Sequence, residues 1–92
     1  MENQNQSLVA LVTGANQGVG FQIVKALAEH GYTVYLGSRN AENGEKAAAT
    51  LGENARAIQI DVTRPDSMAA AAGRIEAEQG RLDLLVNNAC RR

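Results

Sequence analysis

The stretch LVTGANQGVG, residues 11–20, decides which fold we expect for this chain. Its glycines, Gly14, Gly18 and Gly20, are spaced by four and then two residues, and they lie between an aliphatic run and a helical pattern. A glycine turn in that position is typical of sites where backbone N–H groups and a helix dipole hold a phosphate. We expect Gly14 to turn the chain, Gly18 to let a ligand approach the backbone, and Gly20 to let the helix pack closely on the sheet.

A glycine turn between a strand and a helix has two alternatives to a dinucleotide site. A P-loop needs Lys followed by Ser or Thr directly after its last glycine, and Phe21 and Gln22 occupy those positions here. The P-loop is therefore disfavoured. A tight strand–helix turn that binds no ligand stays open at this point.

The rest of the chain alternates between short apolar runs and amphipathic segments. This alternation predicts an α/β fold, a parallel sheet covered by helices on both faces. Right-handed crossovers give the strand order 3-2-1-4, which is a three-layer Rossmann half-fold with βαβαβαβ connectivity. The glycine turn lies at the switch point between strands 1 and 4, where ligands of such sheets bind. We expect strands at 8–12, 33–37, 55–60 and 82–86, and helices at 19–30, 41–51 and from Pro65 to about Gln79.

Length and charge restrict the class of protein. Ninety-two residues make at most one domain, which we place at 8–92 after a polar tail at 1–7. Nine Lys and Arg against ten Asp and Glu leave no basic surface for nucleic acid or anionic membrane. The tail lacks the basic start and apolar stretch of a signal peptide, and no apolar run approaches the ~18 residues of a membrane span. We expect a cytoplasmic protein with a dinucleotide ligand and no nucleic acid, membrane or metal.

Three short motifs carry a resemblance to a known family. TGANQGVG at 13–20, DV at 61–62 and NNA at 87–89 follow one another at the expected intervals. Together they resemble the short-chain dehydrogenase/reductase family. The longer segments VALVTGANQGVG, VYLGSRN and DLLVNNA are similar to its carbonyl-reductase-like branch. The resemblance covers nearly the whole chain. It implies hydride transfer between a nicotinamide and a carbonyl or alcohol group.

The resemblance also implies a set of cofactor-binding residues. Asp61 would bond the adenine amino group, with the Val62 backbone beside it, and Asn87 would line the adenosine ribose and the pyrophosphate with Ala89. Two alternatives stay open: Asp61 as a carboxylate at the N-terminus of the next helix, and Asn87 and Asn88 as side chains that bridge adjacent strand ends. The expected set is Gly14, Asn16, Gln17, Gly18, Val19, Gly20, Ser38, Arg39, Asp61, Val62, Asn87 and Ala89.

The end of the second strand indicates which dinucleotide is bound. NAD-binding folds place an acidic residue there for the ribose 2′-OH, and this chain has Ser38 and Arg39 instead. An arginine makes charge-assisted, bidentate bonds to a 2′-phosphate and stacks on adenine, whereas an aspartate would repel the phosphate. These residues favour NADP(H) over NAD(H). The alternative is that Arg39 is a solvated loop cation.

The family's catalytic residues are not found in this sequence. The resemblance calls for a serine and for a tyrosine with a lysine four residues later, but Leu36 follows Tyr32 at that spacing and Arg39 follows Tyr35. Cys90 stands where the family pattern has glycine. We therefore expect no catalytic residue here, and a chain that holds cofactor without turning over substrate.

The fourth strand suggests a function of another class. Residues 82–86 form an apolar edge strand with no further strand after it, and such an edge is a template for pairing with another chain. We expect self-association through this edge. The alternative to an oxidoreductase portion is thus a non-catalytic or engineered nucleotide-binding fragment whose behaviour is assembly.

Overall fold

The computed structural model of the chain describes residues 8–14 and 18–88. The expected site residues Asn16, Gln17 and Ala89, together with Cys90, lie outside the described residues. Along the described residues, seven elements follow one another in strict alternation. They are β1 (Val9–Val12), α1 (Gly18–Glu29), β2 (Thr33–Ser38), α2 (Ala41–Ala49), β3 (Ala55–Gln59), α3 (Pro65–Gln79) and β4 (Leu84–Val86).

The four strands form one parallel sheet in the order β3-β2-β1-β4, which confirms the predicted topology. β1 lies inside the sheet, where Leu11 is opposite Tyr35 of β2 and Leu85 of β4. All four residues of β1 are buried, as the unbroken aliphatic run predicted. The glycine turn therefore leaves the sheet from a strand that is fixed on both sides.

Helices cover both faces of the sheet, so the predicted three layers are confirmed. On one face, α1 and α2 bury Val24 and Ala48 against Val12 and Leu36. On the other face, α3 buries Ala71 and Ile75 against side chains that include Leu11 and Tyr35. Full burial of a Val, Leu or Ile side chain, such as Val24 or Ile75, stabilises the fold by about 1.5–3 kcal/mol.

The helix ends explain where the chain turns. Asn40 precedes α2, and its side-chain oxygen accepts a hydrogen bond from the Asn43 backbone N–H at 2.9 Å. Pro65 opens α3, where its missing N–H would have no helical partner. Gly80 ends α3 with φ of 81°, a left-handed conformation that favours glycine. The start of α2 and both ends of α3 thus have residues suited to those positions.

Gly44 weakens the helical pattern of α2 in the sequence, yet the helix runs through it. A Cβ atom at position 44 would lie 3.1 Å from the Cβ of Ser38. The glycine therefore lets α2 approach the end of β2 more closely than any other residue would. Its place in the helix is explained by packing and not by helix propensity.

β4 is shorter than the expected run, because Leu82 and Asp83 precede the strand. The Asp83 side chain accepts a hydrogen bond from the Val9 backbone N–H at 2.8 Å, and its own N–H donates to the Val9 carbonyl at 2.8 Å. Leu84 and Leu85 are 37% and 49% exposed. The last strand is therefore anchored to β1 at its start and open along its faces. Among the described residues, no helix has the length and apolar character needed to cross a membrane.

Candidate functional site

The two described ends of the glycine turn have the geometry of a phosphate site. Gly14 and Gly18 have φ of 60° and 66°, in the left-handed region that favours glycine. A Cβ atom at Gly18 would meet no described atom within 4 Å, so the backbone surface is open there. α1 begins at this residue, and the first N–H groups of a helix have no intrahelical acceptor. Gly20 is buried against the sheet, while the neighbouring Val19 is 69% exposed.

Hydrogen bonds join the end of β1 to the end of β4 beside this turn. The buried Thr13 hydroxyl lies 3.1 Å from Oδ1 of Asn87 and accepts the Asn88 backbone N–H at 3.0 Å. The Asn88 side-chain amide donates to the Gly14 carbonyl at 3.2 Å. The bridging role that the sequence left open for Asn87 is thus present. Thr13 and Asn88 were not among the expected site residues, although both lie within the family motifs.

The end of β2 presents Arg39 on a short ordered turn. The buried Ser38 hydroxyl donates to the Asn40 carbonyl at 3.0 Å and accepts the Asn40 N–H at 3.2 Å. The Gln59 side chain donates to the Arg39 carbonyl at 3.1 Å, which fixes the backbone. Within residues 8–14 and 18–88 the exposed Arg39 guanidinium has no ion pair or hydrogen bond. The serine therefore orders the turn, and the arginine is available to an anion.

The end of β3 holds Asp61 in one orientation. Its Oδ1 accepts the Thr63 hydroxyl at 2.6 Å and the Thr63 N–H at 3.0 Å. Its own N–H donates to the Ser67 hydroxyl at 2.8 Å. The Thr63 hydrogen bonds, with help from nearby Arg39 and Arg64, lower the pKa of the carboxyl below its usual 3.8. Asp61 is therefore ionised at neutral pH.

The alternative role for Asp61 is that of a carboxylate at the N-terminus of the next helix, and the structure places its side chain in the turn that precedes α3. α3 has Arg64 at its N-cap position, with no side-chain hydrogen bond to the helix. Oδ1 of Asp61 is bound by the Thr63 turn that precedes the helix, and no described residue donates to Oδ2. The half-buried Val62 follows and packs against the core under α3. The open carboxylate oxygen remains available to a ligand.

An open pocket of about 540 Å³ separates the end of β2 from the start of α3. Arg39 lines one part of it, and Asp61, Arg64, Asp66 and Ser67 line the remainder. Arg64 was not predicted as a site residue from the sequence. Helix and strand patterns do not indicate that the turn between β3 and α3 faces the end of β2. The pocket joins two expected ligand residues, Arg39 and Asp61, in one place.

Tyr35 lies at another part of the fold. Its hydroxyl donates to the Glu78 carboxylate and accepts the Gln79 side-chain amide at 3.1 Å. Burial is the main reason that the pKa of Tyr35 is raised above 10.0. Glu78 and Gln79 end α3, which runs antiparallel to the strands, so the hydroxyl lies toward the amino ends of the sheet. The tyrosine thus stabilises the α3 layer and takes no part in the candidate site.

Solved structures with this arrangement are known. Menthone neomenthol reductase from Mentha piperita matches with a TM-score of 0.89 and 41% identity, over 95% of this chain and 33% of that chain. A metagenomic short-chain oxidoreductase solved in complex with NADP matches with a TM-score of 0.85 and 36% identity, over 91% and 39%. The 3-ketoacyl-(acyl-carrier-protein) reductase from Brucella melitensis, complexed with NADH, has a TM-score of 0.85 and 33% identity, over 91% and 34%.

Curated relatives are similar over nearly the same residues. Short-chain dehydrogenase/reductase 1 of Saponaria officinalis is 46% identical over 90 residues, and the match covers 91% of this chain and 30% of the relative. The (-)-isopiperitenone reductase of Mentha piperita is 48% identical over 87 residues, covering 87% and 28%. The chain thus spans about 30% of these relatives' length. The family model described as short chain dehydrogenase matches residues 8–92, and the chain therefore belongs to the short-chain dehydrogenase family.

Proposed function

We propose that this chain is the cofactor-binding N-terminal portion of an NADP(H)-dependent short-chain oxidoreductase. The parent activity is reduction of a carbonyl or oxidation of an alcohol, for which the bound nicotinamide supplies or accepts a hydride. The observation that carries the proposal is the Arg39 guanidinium, which stands uncommitted among the described residues, at the end of β2 and in one pocket with Asp61. Family membership supports the general reaction class.

The described backbone fits a dinucleotide. Gly18 offers an open surface at the start of α1, where a pyrophosphate would meet unpaired N–H groups. Asp61 offers a carboxylate oxygen that an adenine amino group can reach by donating a hydrogen bond. Asn87, Val19 and Val62 complete the described part of the proposed binding surface.

The choice of NADP(H) over NAD(H) rests on the end of β2. The two neighbours solved with cofactor carry NADP in one case and NADH in the other, so the shared fold does not select the nucleotide. The hydroxyl proton of Ser38 is already donated to Asn40, so we assign the main 2′-phosphate contact to Arg39. No acidic residue stands in the segment from Gly37 to Asn40.

Calorimetry with NADP⁺ and NAD⁺ tests this assignment. Arg39→Ala removes charge-assisted hydrogen bonds worth about 1.5–3 kcal/mol, so NADP⁺ binding should weaken roughly 10- to 100-fold while NAD⁺ binding changes little. Arg56→Ala, which removes another exposed arginine, from β3 and outside the pocket, is the matched control and should leave both affinities unchanged. Equal loss for both dinucleotides with Arg39→Ala would rule out the assignment.

We further propose that the 92 residues bind cofactor without turning over a carbonyl substrate. Neither tyrosine has a lysine four residues later, and the Tyr35 hydroxyl is bound by Glu78 and Gln79. The absorbance of NADPH should stay constant when the chain is mixed with a panel of aldehydes, ketones and quinones. A robust rate that scales with chain concentration would overturn this part of the proposal.

A second candidate function is self-association through β4. Leu84 and Leu85 point to opposite faces of the sheet and are 37% and 49% exposed, and β4 pairs only with β1 among the described strands. Sedimentation should show dimers or larger species at high micromolar concentration. Leu85→Lys places a charge on the edge and should shift the chain to monomer. A monomer throughout the concentration range would count against this candidate.

The bounds of the folding unit and the cellular location of the chain are also predictions. If residues 8–92 form the folding unit, deletion of residues 1–7 should leave the free energy of unfolding unchanged within error. A cytoplasmic location is checked by fractionation of cells that express the tagged chain. A stability loss on deletion, or recovery of the chain in a membrane or secreted fraction, would correct them.

A further inference from the structure

We propose that Arg64 is a second specificity-determining residue of this site, holding the 2′-phosphate of the dinucleotide from the side opposite Arg39. The inference rests on the NADP(H) preference proposed above and extends it to a residue outside the family motifs. Arg39 follows β2, and Arg64 stands at the N-cap of α3. Both line the same open pocket of about 540 Å³.

The Arg64 side chain is not engaged elsewhere in the described residues. It makes no cap hydrogen bond to α3, although its backbone occupies the cap position. It forms no ion pair within 4.0 Å with any residue of 8–14 or 18–88, even though Asp61 and Asp66 line the same pocket. Arg74 behaves differently, since its guanidinium lies 3.0 Å from the Glu78 carboxylate on the same helix. A guanidinium that leaves two nearby carboxylates unpaired is available to an incoming anion.

The carboxylates of the pocket have their own stabilising interactions. Thr63 donates two hydrogen bonds to Oδ1 of Asp61, which directs that oxygen into the turn. Asp66 lies in the first turn of α3, where the positive end of the helix dipole stabilises it. Both arginines are near enough to Asp61 to contribute to the lowering of its pKa. The four charged groups therefore surround one space without neutralising each other in pairs.

The charge of the ligand favours a second cation. A phosphate monoester carries about −1.5 to −2 at pH 7. Residues 13–24, which include the glycine turn, contain no Lys or Arg, so this segment supplies no cation. With Arg39 alone, a phosphate in the pocket would face one positive and two negative side chains. Arg64 and Arg39 together balance the negative charges of Asp61 and Asp66. A doubly charged phosphate can then bind without net repulsion from the pocket.

Binding of 2′,5′-ADP and 5′-AMP by calorimetry tests the proposal, because these probes differ only in the 2′-phosphate. Arg64→Gln should weaken 2′,5′-ADP binding about tenfold, within the range for charge-assisted hydrogen bonds, and change 5′-AMP binding less than twofold. Arg64→Lys keeps the charge and should recover most of the loss. Arg74→Gln removes one arginine from the same helix outside the pocket and should bind both probes as the unaltered chain does.

The outcomes separate this inference from the proposal on which it rests. If the unaltered chain binds 2′,5′-ADP no better than 5′-AMP, the NADP(H) preference itself is wrong. If Arg39→Gln loses the 2′-phosphate preference and Arg64→Gln keeps it, the preference stands and the role of Arg64 is refuted. An equal loss in Arg64→Gln and Arg74→Gln would also refute it, since the effect would then be one of net charge. Retained 5′-AMP binding shows that a variant is folded.

Discussion

Replacement of Gly44 by alanine sets two effects of known size against each other. Alanine in place of glycine inside a helix stabilises a protein by about 0.4–1 kcal/mol, mainly because the unfolded chain loses freedom. The added Cβ, however, would lie 3.1 Å from the Cβ of Ser38, 3.7 Å from that of Ala57 and 3.8 Å from Cδ2 of Leu36. Ser38 cannot withdraw easily, because its hydroxyl makes two hydrogen bonds to Asn40.

The size of the clash decides the sign. Carbon atoms in contact prefer about 3.5–4.0 Å, so the Ser38 contact is too short by a few tenths of an ångström. Overpacking of a buried contact costs about 1–3 kcal/mol. After subtraction of the helical gain, Gly44→Ala should lower the free energy of unfolding by about 1 kcal/mol. Gly73→Ala in α3 is the matched control, because a Cβ there meets nothing within 4 Å, and it should raise the free energy by about 0.4–1 kcal/mol.

Urea denaturation followed by circular dichroism measures both effects. With a slope near ~1 kcal/mol per molar for a chain of this size, the two variants should move the midpoint by about 1 M or less, in opposite directions. A Gly44→Ala variant that is stabilised as much as Gly73→Ala would refute the reasoning. It would mean that α2 does not pack on the end of β2 as closely as 3.1 Å implies.

Three further predictions concern single hydrogen bonds. Thr13→Val leaves the Asn88 N–H without its acceptor and should cost about 1–3 kcal/mol of unfolding free energy in urea, and no change would contradict it. Thr63→Ala removes the main cause of the lowered Asp61 pKa, so that pKa should rise in a carboxyl NMR titration, and an unchanged value would contradict the assignment. Hydrogen bonds from Tyr35 and Arg74 lower the pKa of Glu78 below its usual 4.5. The ionised Glu78 carboxylate therefore stabilises the folded chain above that pH, and this contribution is lost as the pH falls below it. Glu78→Gln should therefore lose less stability than the unaltered chain between about pH 7 and pH 3, and equal losses would contradict this.

The fold was predictable because its signals are local. The aliphatic run at 8–12 predicted a buried strand, and β1 is buried at every residue. The predicted and observed bounds of the elements agree within two residues. The start of β4 differs because the carboxylate and the backbone N–H of Asp83 both form hydrogen bonds to the Val9 backbone before the strand begins. The glycine spacing at 14–20 marked the turn correctly, because positive φ angles at Gly14 and Gly18 restrict those positions to few residue types.

The site was predictable only in part, because its remaining features depend on residues that meet across the sheet. The sequence placed Arg39 and Asp61 at strand ends but gave no sign that Thr63 would fix one carboxylate oxygen. The sequence predicted that Ser38 binds the cofactor. The structure adds that the serine hydroxyl donates a hydrogen bond to the Asn40 carbonyl. Arg64 has no periodic or motif signal at all. Only the packing of α3 brings it to the pocket that Arg39 lines.

The hydrogen bonds between Thr13, Gly14 and Asn88 have a consequence for protein synthesis. They join residues 74 and 75 positions apart, so the glycine turn acquires these restraints only after β4 and Asn88 have been made. A ribosome adds about 5–20 residues per second, which leaves the turn without its partner for several seconds after it is made. A nascent chain halted before Asn88 should therefore bind dinucleotide poorly, even though every glycine of the turn has already emerged.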